Sequence, residues 1–217
     1  MPDLVFAELR EAIVSGRYAP GERLPTQRTL AAELEVNMAS VREALKRLEQ
    51  LRLVEVRHGD ATRVLDWRAS GGLEALALLG SVDGEVIASL FEARRLLLTE
   101  AARLAAVRRT EKQAAEIVEL ADAVARASDN QSALIADWAF MAAVIESAGN
   151  LVFQLIMNSV RELYVPRIES FARVVSDRDE LVPHYVRGAE AIRDRDADEA
   201  ANAIGEVAAA QERRMHT

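Results

Sequence analysis

Cysteine is absent from the 217 residues, which excludes disulfides, thiolate metal sites and a cysteine nucleophile. Glycine and proline are scarce, at 10 and 5 residues, while Leu, Ala, Val, Arg and Glu dominate, a balance that favours helices over an all-β fold. The three histidines, His58, His184 and His216, are scattered. No glycine-rich phosphate loop, HExxH pattern or nucleophile elbow occurs, so no enzyme is expected. The opening MPDLVFAELREAIVSG lacks the basic stretch and apolar core of a signal peptide. No uncharged apolar run approaches the roughly eighteen residues of a membrane span. The expectation is a soluble, cytoplasmic protein with no membrane partner.

Half of the residues are apolar, enough to bury one large core or two modest ones. The net charge of −8 is unevenly spread. Residues 1–68 hold 11 Lys+Arg against 11 Asp+Glu, so the whole excess of acid falls on residues 69–217. A neutral N-terminal part can still bind phosphates if its arginines share one face, so the acidic total does not exclude a nucleic acid.

Along the first seventy residues, Leu4, Val5, Ala7, Leu9, Ala12, Ile13 and Val14 recur at helical spacing, and Gly16 ends the pattern. A second helix fits Thr26–Glu35 with Thr26 as its N-cap, and a third fits Met38–Leu53 capped by Asn37. The short connection at Glu35–Asn37 is that of a helix-turn-helix. Leu53–Arg57 then alternates like a strand, His58–Asp60 turns, and Ala61–Val64 returns. Three helices and a hairpin make a winged helix-turn-helix.

These segments resemble the GntR superfamily of transcription regulators. The likeness rests on IVSGRYAPGERLPTQR at 13–28, LAAELEV at 30–36, VREALKRL at 41–48 and LVEVRHG at 53–59. It implies a double-stranded, palindromic DNA operator bound by a homodimer, with the start of the third helix in the major groove. Asn37, Met38, Ala39, Ser40 and Arg42 are then the groove-facing side chains. Asn and Arg can pair with adenine and guanine edges, and Ser can reach a phosphate. The resemblance also assigns DNA contacts to Arg28 and, in the wing, to His58 and Gly59. Met38 and Asp60 depart from the family by removing positive charge near DNA, which implies a different operator or weaker binding. A protein adaptor that has lost DNA binding is a rival reading, opposed by Arg28 and Arg42.

Residues 66–72, DWRASGG, form a polar, glycine-containing boundary, giving a DNA-binding domain at 1–65, a linker at 66–72 and a second domain at 73–217. Beyond the boundary everything reads as helix, near 72–80, 84–108, 111–127, 132–147, 150–175, 179–194 and 197–214. Start signals stand at Thr110/Gln113, Ser176/Asp179 and Asp196/Glu199. The fold class is therefore mainly α, a winged helix-turn-helix followed by an all-α ligand-binding bundle.

FEARRLLLTEAARLAA at 91–106, DWAFM at 137–141, SAGN at 147–150 and AIRDRD at 191–196 resemble the effector domain of the FadR subfamily. That likeness implies a bundle with a central cavity, in many members holding a divalent metal on one Asp and three His. Here Asp137 is kept, but Met141, Tyr185 and Val207 stand in the histidine registers. His184 is adjacent to Tyr185, yet one residue turns a helical side chain by about 100°. Methionine is also a poor ligand for such ions. The expectation is a site without a metal or other cofactor, as in the branch that responds to long-chain acyl-CoA. Arg94, Asp137, Met141, Asn150, Tyr185 and Val207 are the candidate effector contacts, with Phe140, Val144 and Leu155 nearby. The rival reading is a metal-dependent regulator that senses a small organic acid through Asp137, His184 and water.

Overall fold

The computed structural model describes residues 1–56, 61–73, 84–164 and 171–216. The chain divides into two compact units, Met1–Gly84 and Glu85–Thr217. The first opens with α1 (Pro2–Val14), α2 (Gln27–Glu33) and α3 (Met38–Gln50). Thr26 Oγ1 accepts from Thr29 N at 3.1 Å and Asn37 Oδ1 from Ser40 N at 2.8 Å, so both expected caps close their helices. The turn between α2 and α3 places Glu35 in the left-handed region at φ 53°. A second left-handed residue, Arg52 at φ 55°, follows the end of α3 at Gln50, so that helix stops short of the expected Leu53.

Two short strands, β1 (Val54–Glu55) and β2 (Arg63–Val64), pair antiparallel with Val54 opposite Val64 and Glu55 opposite Arg63. The segment at 21–24 extends the ladder. Gly21 N donates to Val64 O, Val64 N to Glu22 O and Leu24 N to Thr62 O, at 2.8–2.9 Å. The wing therefore stands on the PGERL stretch. Val5, Leu9, Ile13, Leu30, Val41, Leu45, Leu48, Leu53 and Val64 form the buried core beneath it. Asp66 caps one further turn, α4 (Trp67–Ser70), whose Ser70 hydroxyl donates to Arg52 O at 3.1 Å. The expected linker at 66–72 thus contains a capped helical turn tied back to the first unit. The helix expected near 72–80 falls almost wholly outside the described residues.

The second unit is helical throughout its described residues: α5 (Gly84–Arg108), α6 (Glu111–Arg126), α7 (Asn130–Ser147), α8 (Leu151–Tyr164), a 3₁₀ turn (Ala172–Val175), α9 (Arg178–Asp194) and α10 (Ala197–His216). Thr110 and Gln113 form the capping box that the sequence signals, and Asp196 Oδ1 accepts from Glu199 N. Two readings need correction. The helix expected over 150–175 does not run to its end as an α-helix: α8 is described to Tyr164, and Ala172–Val175 is a 3₁₀ turn. The start of α9 is capped by Asp177, whose Oδ1 accepts from Glu180 N, rather than by Ser176. A carboxylate satisfies the same orphan N–H groups and also meets the helix dipole.

Small residues let these helices approach closely. A Cβ on Gly188 of α9 would come within 2.5 Å of Ile204 Cδ1 on α10, and one on Gly205 within 3.1 Å of Thr99 Oγ1 on α5. Buried Ala101, Ala102, Ala105, Ala106, Ala200 and Ala208 line the same core. At the end of α5, the buried Arg109 donates Nε to Ile192 O, and Arg108 donates to Ala148 O at 2.8 Å. These arginines satisfy carbonyls at the C-terminal ends of α9 and α7.

Candidate functional site

The amino-terminal end of α3 presents Asn37, Met38, Ala39 and Arg42 as exposed side chains, and Arg28 is exposed near the start of α2. Neither Arg28 nor Arg42 has an ion-pair partner among the described residues, so both guanidiniums are available to phosphate or base edges. Met38 is 45% exposed, an apolar side chain held out where water or DNA must meet it. Asn37 spends its carbonyl on the cap and keeps its amide N–H groups. Ser40 is 5% exposed, so its hydroxyl is the least accessible of the expected groove contacts. His58, Gly59 and Asp60 lie outside the described residues.

What holds this surface was not evident from the sequence alone. Arg47 turns inward, donating Nη1 to Asp3 at 2.6 Å and lying 4.2 Å above the Phe6 ring. That hydrogen bond, with the charge behind it, holds the exposed Asp3 carboxyl below its ordinary range. Glu49 Oε1 accepts from Val56 N at 3.0 Å. Helix α3 is thereby tied to α1 on one side and to the chain leaving β1 on the other.

In the helical unit, four helices each bring one polar side chain to a common point. Asp137 (α7) is 1% exposed and Gln211 (α10) is fully buried. Tyr185 (α9) donates its hydroxyl to Asp137 Oδ1 at 2.5 Å, and Gln211 Nε2 donates to the same oxygen at 3.0 Å. Arg94 (α5) donates Nη1 to Gln211 Oε1 at 2.6 Å and places Nη2 3.6 Å from Asp137 Oδ2. Arg94 therefore pairs across the bundle, not with its neighbour Glu92. Met141 and Val207 are fully buried in the core that holds Tyr185, and the Phe140 ring meets the Tyr185 ring edge-on at 5.1 Å.

The structure brings together five of the six expected effector contacts. The sixth, Asn150, caps α8 through its Oδ1, which accepts from Val152 N at 3.0 Å. Leu155 is 54% exposed rather than part of this lining. Sequence reasoning missed Gln211, although it lies four residues after Val207 and so on the same face of α10. His184 is half-buried, and its Nδ1 has no hydrogen-bond partner among the described residues. Among those residues no three His, Cys, Asp or Glu side chains converge. A groove of about 280 Å³ between α7 and α8 is lined by Ala142, Ile145, Glu146, Gln154, Met157 and Asn158, none of them in the Asp137 network.

Residues 3–64 match the family model described as bacterial regulatory proteins, gntR family, and residues 89–210 match the FCD domain. The chain belongs to the GntR family. It is a DNA-binding transcription regulator with an FCD effector domain, of a family that binds DNA operators and small-molecule effectors, typically as dimers. This GntR-family protein is 36% identical over 201 residues to the HTH-type transcriptional regulator Mce2R of Mycobacterium tuberculosis (strain CDC 1551 / Oshkosh), covering 88% of this chain and 82% of the relative. It is 30% identical over 165 residues to the fatty acid metabolism regulator protein of Yersinia pestis (strain Pestoides F), covering 73% and 68%. The solved structure of Lar, which controls the agr system of Listeria monocytogenes, aligns with a TM-score of 0.63 over 100% of this chain and 96% of that one. At 17% identity that likeness shows the fold alone.

Proposed function

We propose that this GntR-family regulator senses a lipid-like effector, of the acyl-CoA type, without a metal. Residues 1–65 are the DNA-binding domain and 73–217 the effector and dimerisation domain, joined through 66–72. Two protomers place two α3 helices on a palindromic operator in the cytoplasm. Arg28, Asn37, Met38, Ala39, Ser40 and Arg42, with His58 and Gly59 of the wing, form the operator contacts. Arg94, Asp137, Met141, Asn150, Tyr185 and Val207 are the effector contacts.

The observation that carries this reading is the character of the Asp137 centre. Tyr185 and Gln211 both donate to Asp137 Oδ1, Oδ2 has only the Arg94 guanidinium near it, and the surrounding Phe140, Met141, Val144 and Val207 are fully buried and apolar. Such a centre offers a ligand mainly apolar surface, with Arg94, 14% exposed, as its outermost charge. The likeness to a fatty acid metabolism regulator points the same way.

The effector acts by binding one arrangement of the dimer better than another, since equal affinity would shift nothing. Fluorescence anisotropy on palindrome-enriched fragments, at two salt concentrations and with acyl-CoAs of several chain lengths, tests both parts. Salt-sensitive binding that acyl-CoA alters is the expected result. Salt-sensitive binding indifferent to every acyl-CoA would retain the regulator and remove the lipid effector.

A further inference from the structure

The family likeness implies a divalent cation on Asp137, and the side chains around Asp137 bear directly on whether it fits. A cation needs lone pairs directed at it. Around Asp137 stand instead a hydroxyl and an amide that both donate to Oδ1. The remaining implied positions carry Met141, a soft thioether, and Val207, which offers no donor atom at all. A positive charge is also already present, because Arg94 Nη2 lies 3.6 Å from Oδ2. A divalent ion on the same carboxylate would be repelled by that guanidinium. The donor set does not fit a metal.

We infer that this chain has replaced the cation with its own side chains: Tyr185 and Gln211 supply the donors to Asp137, and Arg94 supplies the charge. Asp137, Tyr185, Gln211 and Arg94 stand on α7, α9, α10 and α5, so the network cross-links four helices as a shared ion would. The two spacings of four, Asp137 to Met141 and Val207 to Gln211, place both pairs on inward faces, and all four side chains are buried. Gln211 and Arg94 act here as positioning residues that orient Asp137 and Tyr185. The inference rests on the metal-free part of the proposed function, and not on which effector binds.

The test is metal content and thermal unfolding of the full-length protein, incubated with Ni²⁺, Zn²⁺ or Mn²⁺ and desalted, with and without EDTA. The wild-type protein is expected to retain less than stoichiometric metal, with a Tm indifferent to EDTA. One tightly held equivalent, lost on Asp137→Asn, would overturn the inference. The combined variant Arg94→Ala, Met141→His, Tyr185→His, Val207→His, which also removes the competing guanidinium, is expected to acquire one equivalent and an EDTA-reversible rise in Tm. If it folds, by circular dichroism, and still binds no metal, the three positions do not surround a cation site and the inference fails. Should it not fold, the wild-type metal content decides, together with Tyr185→Phe. That variant keeps the ring and is expected to lower the Tm to the same extent with and without metal. Anisotropy with acyl-CoA reports separately on the effector, so loss of the lipid reading leaves this result intact.

Discussion

The two units use polar side chains in opposite ways. In the first, Arg28, Asn37 and Arg42 stand in water on an apolar core, and the residues beneath them determine their placement. In the second, Asp137, Tyr185 and Gln211 are themselves inside the core, each spent on the others. An exposed cation costs little to keep and awaits a partner, whereas a buried carboxylate is tolerable only when its partners are built in. The contrast makes truncation a sharp probe. Truncating Arg28 or Arg42 should alter binding without stability, whereas truncation in the second network should cost stability at once.

The largest effect is expected for Asp137→Ala, which leaves Tyr185 and Gln211 without their common acceptor and Arg94 without its counter-charge. Breaking a buried pair in this way costs about 3–5 kcal/mol, to be read from the urea midpoint of unfolding. A wild-type midpoint would end the claim that the network braces the bundle. Gly188→Ala comes next, since its Cβ would press on Ile204 between α9 and α10. Overpacking of this kind costs about 1–3 kcal/mol, and Ile204→Val in the same chain should recover part of the loss.

In the first unit, Arg42→Ala should weaken operator binding by about 1–3 kcal/mol, with the Tm unchanged and a shallower salt dependence if the contact is to phosphate. Loss of stability instead would place Arg42 with Arg47 as a structural arginine. Met38→Arg should strengthen binding or shift base preference, and an unchanged gel-shift series would remove Met38 from the interface. Thr26→Ala removes a cap and should cost about 1 kcal/mol of stability, with DNA binding affected only through folding. The smallest effect is that of pH on the Asp3–Arg47 tie. The Asp3 carboxyl is lowered by its hydrogen bond to Arg47, so the tie contributes fully above the ordinary carboxylate range and is lost as pH falls below that range through the lowered folded-state value. Because Asp3 is exposed, only a slight acid loosening of α1 is expected, which amide hydrogen exchange would detect.

The DNA-binding unit was largely legible as sequence because its signals are local. Caps at Thr26 and Asn37, the apolar periodicity of α1 and α3 and the short turn at Glu35 each depend on a few neighbouring residues. The same is true of the capping box at Thr110. The continuous helix read over 150–175 illustrates the limit: apolar periodicity favours helix without saying where it stops. The pairings of arginine were illegible for a related reason. Arg28, Arg42, Arg47 and Arg94 carry the same side chain, and only the neighbours brought by folding separate an arginine without an ion-pair partner from one that ties two helices together.

From the sequence alone came the helical class, the winged helix-turn-helix, the capped start of α3 and the loss of three implied metal-ligand positions around Asp137. Tertiary structure alone decided what stands in their place. Gln211 is 74 residues from Asp137, Tyr185 is 48 away, and Arg94 is 117 from Gln211. No local pattern links residues so far apart along the chain. Only the packing of four helices on one core, driven by burial of their apolar faces, brings the donors to the carboxylate that needs them.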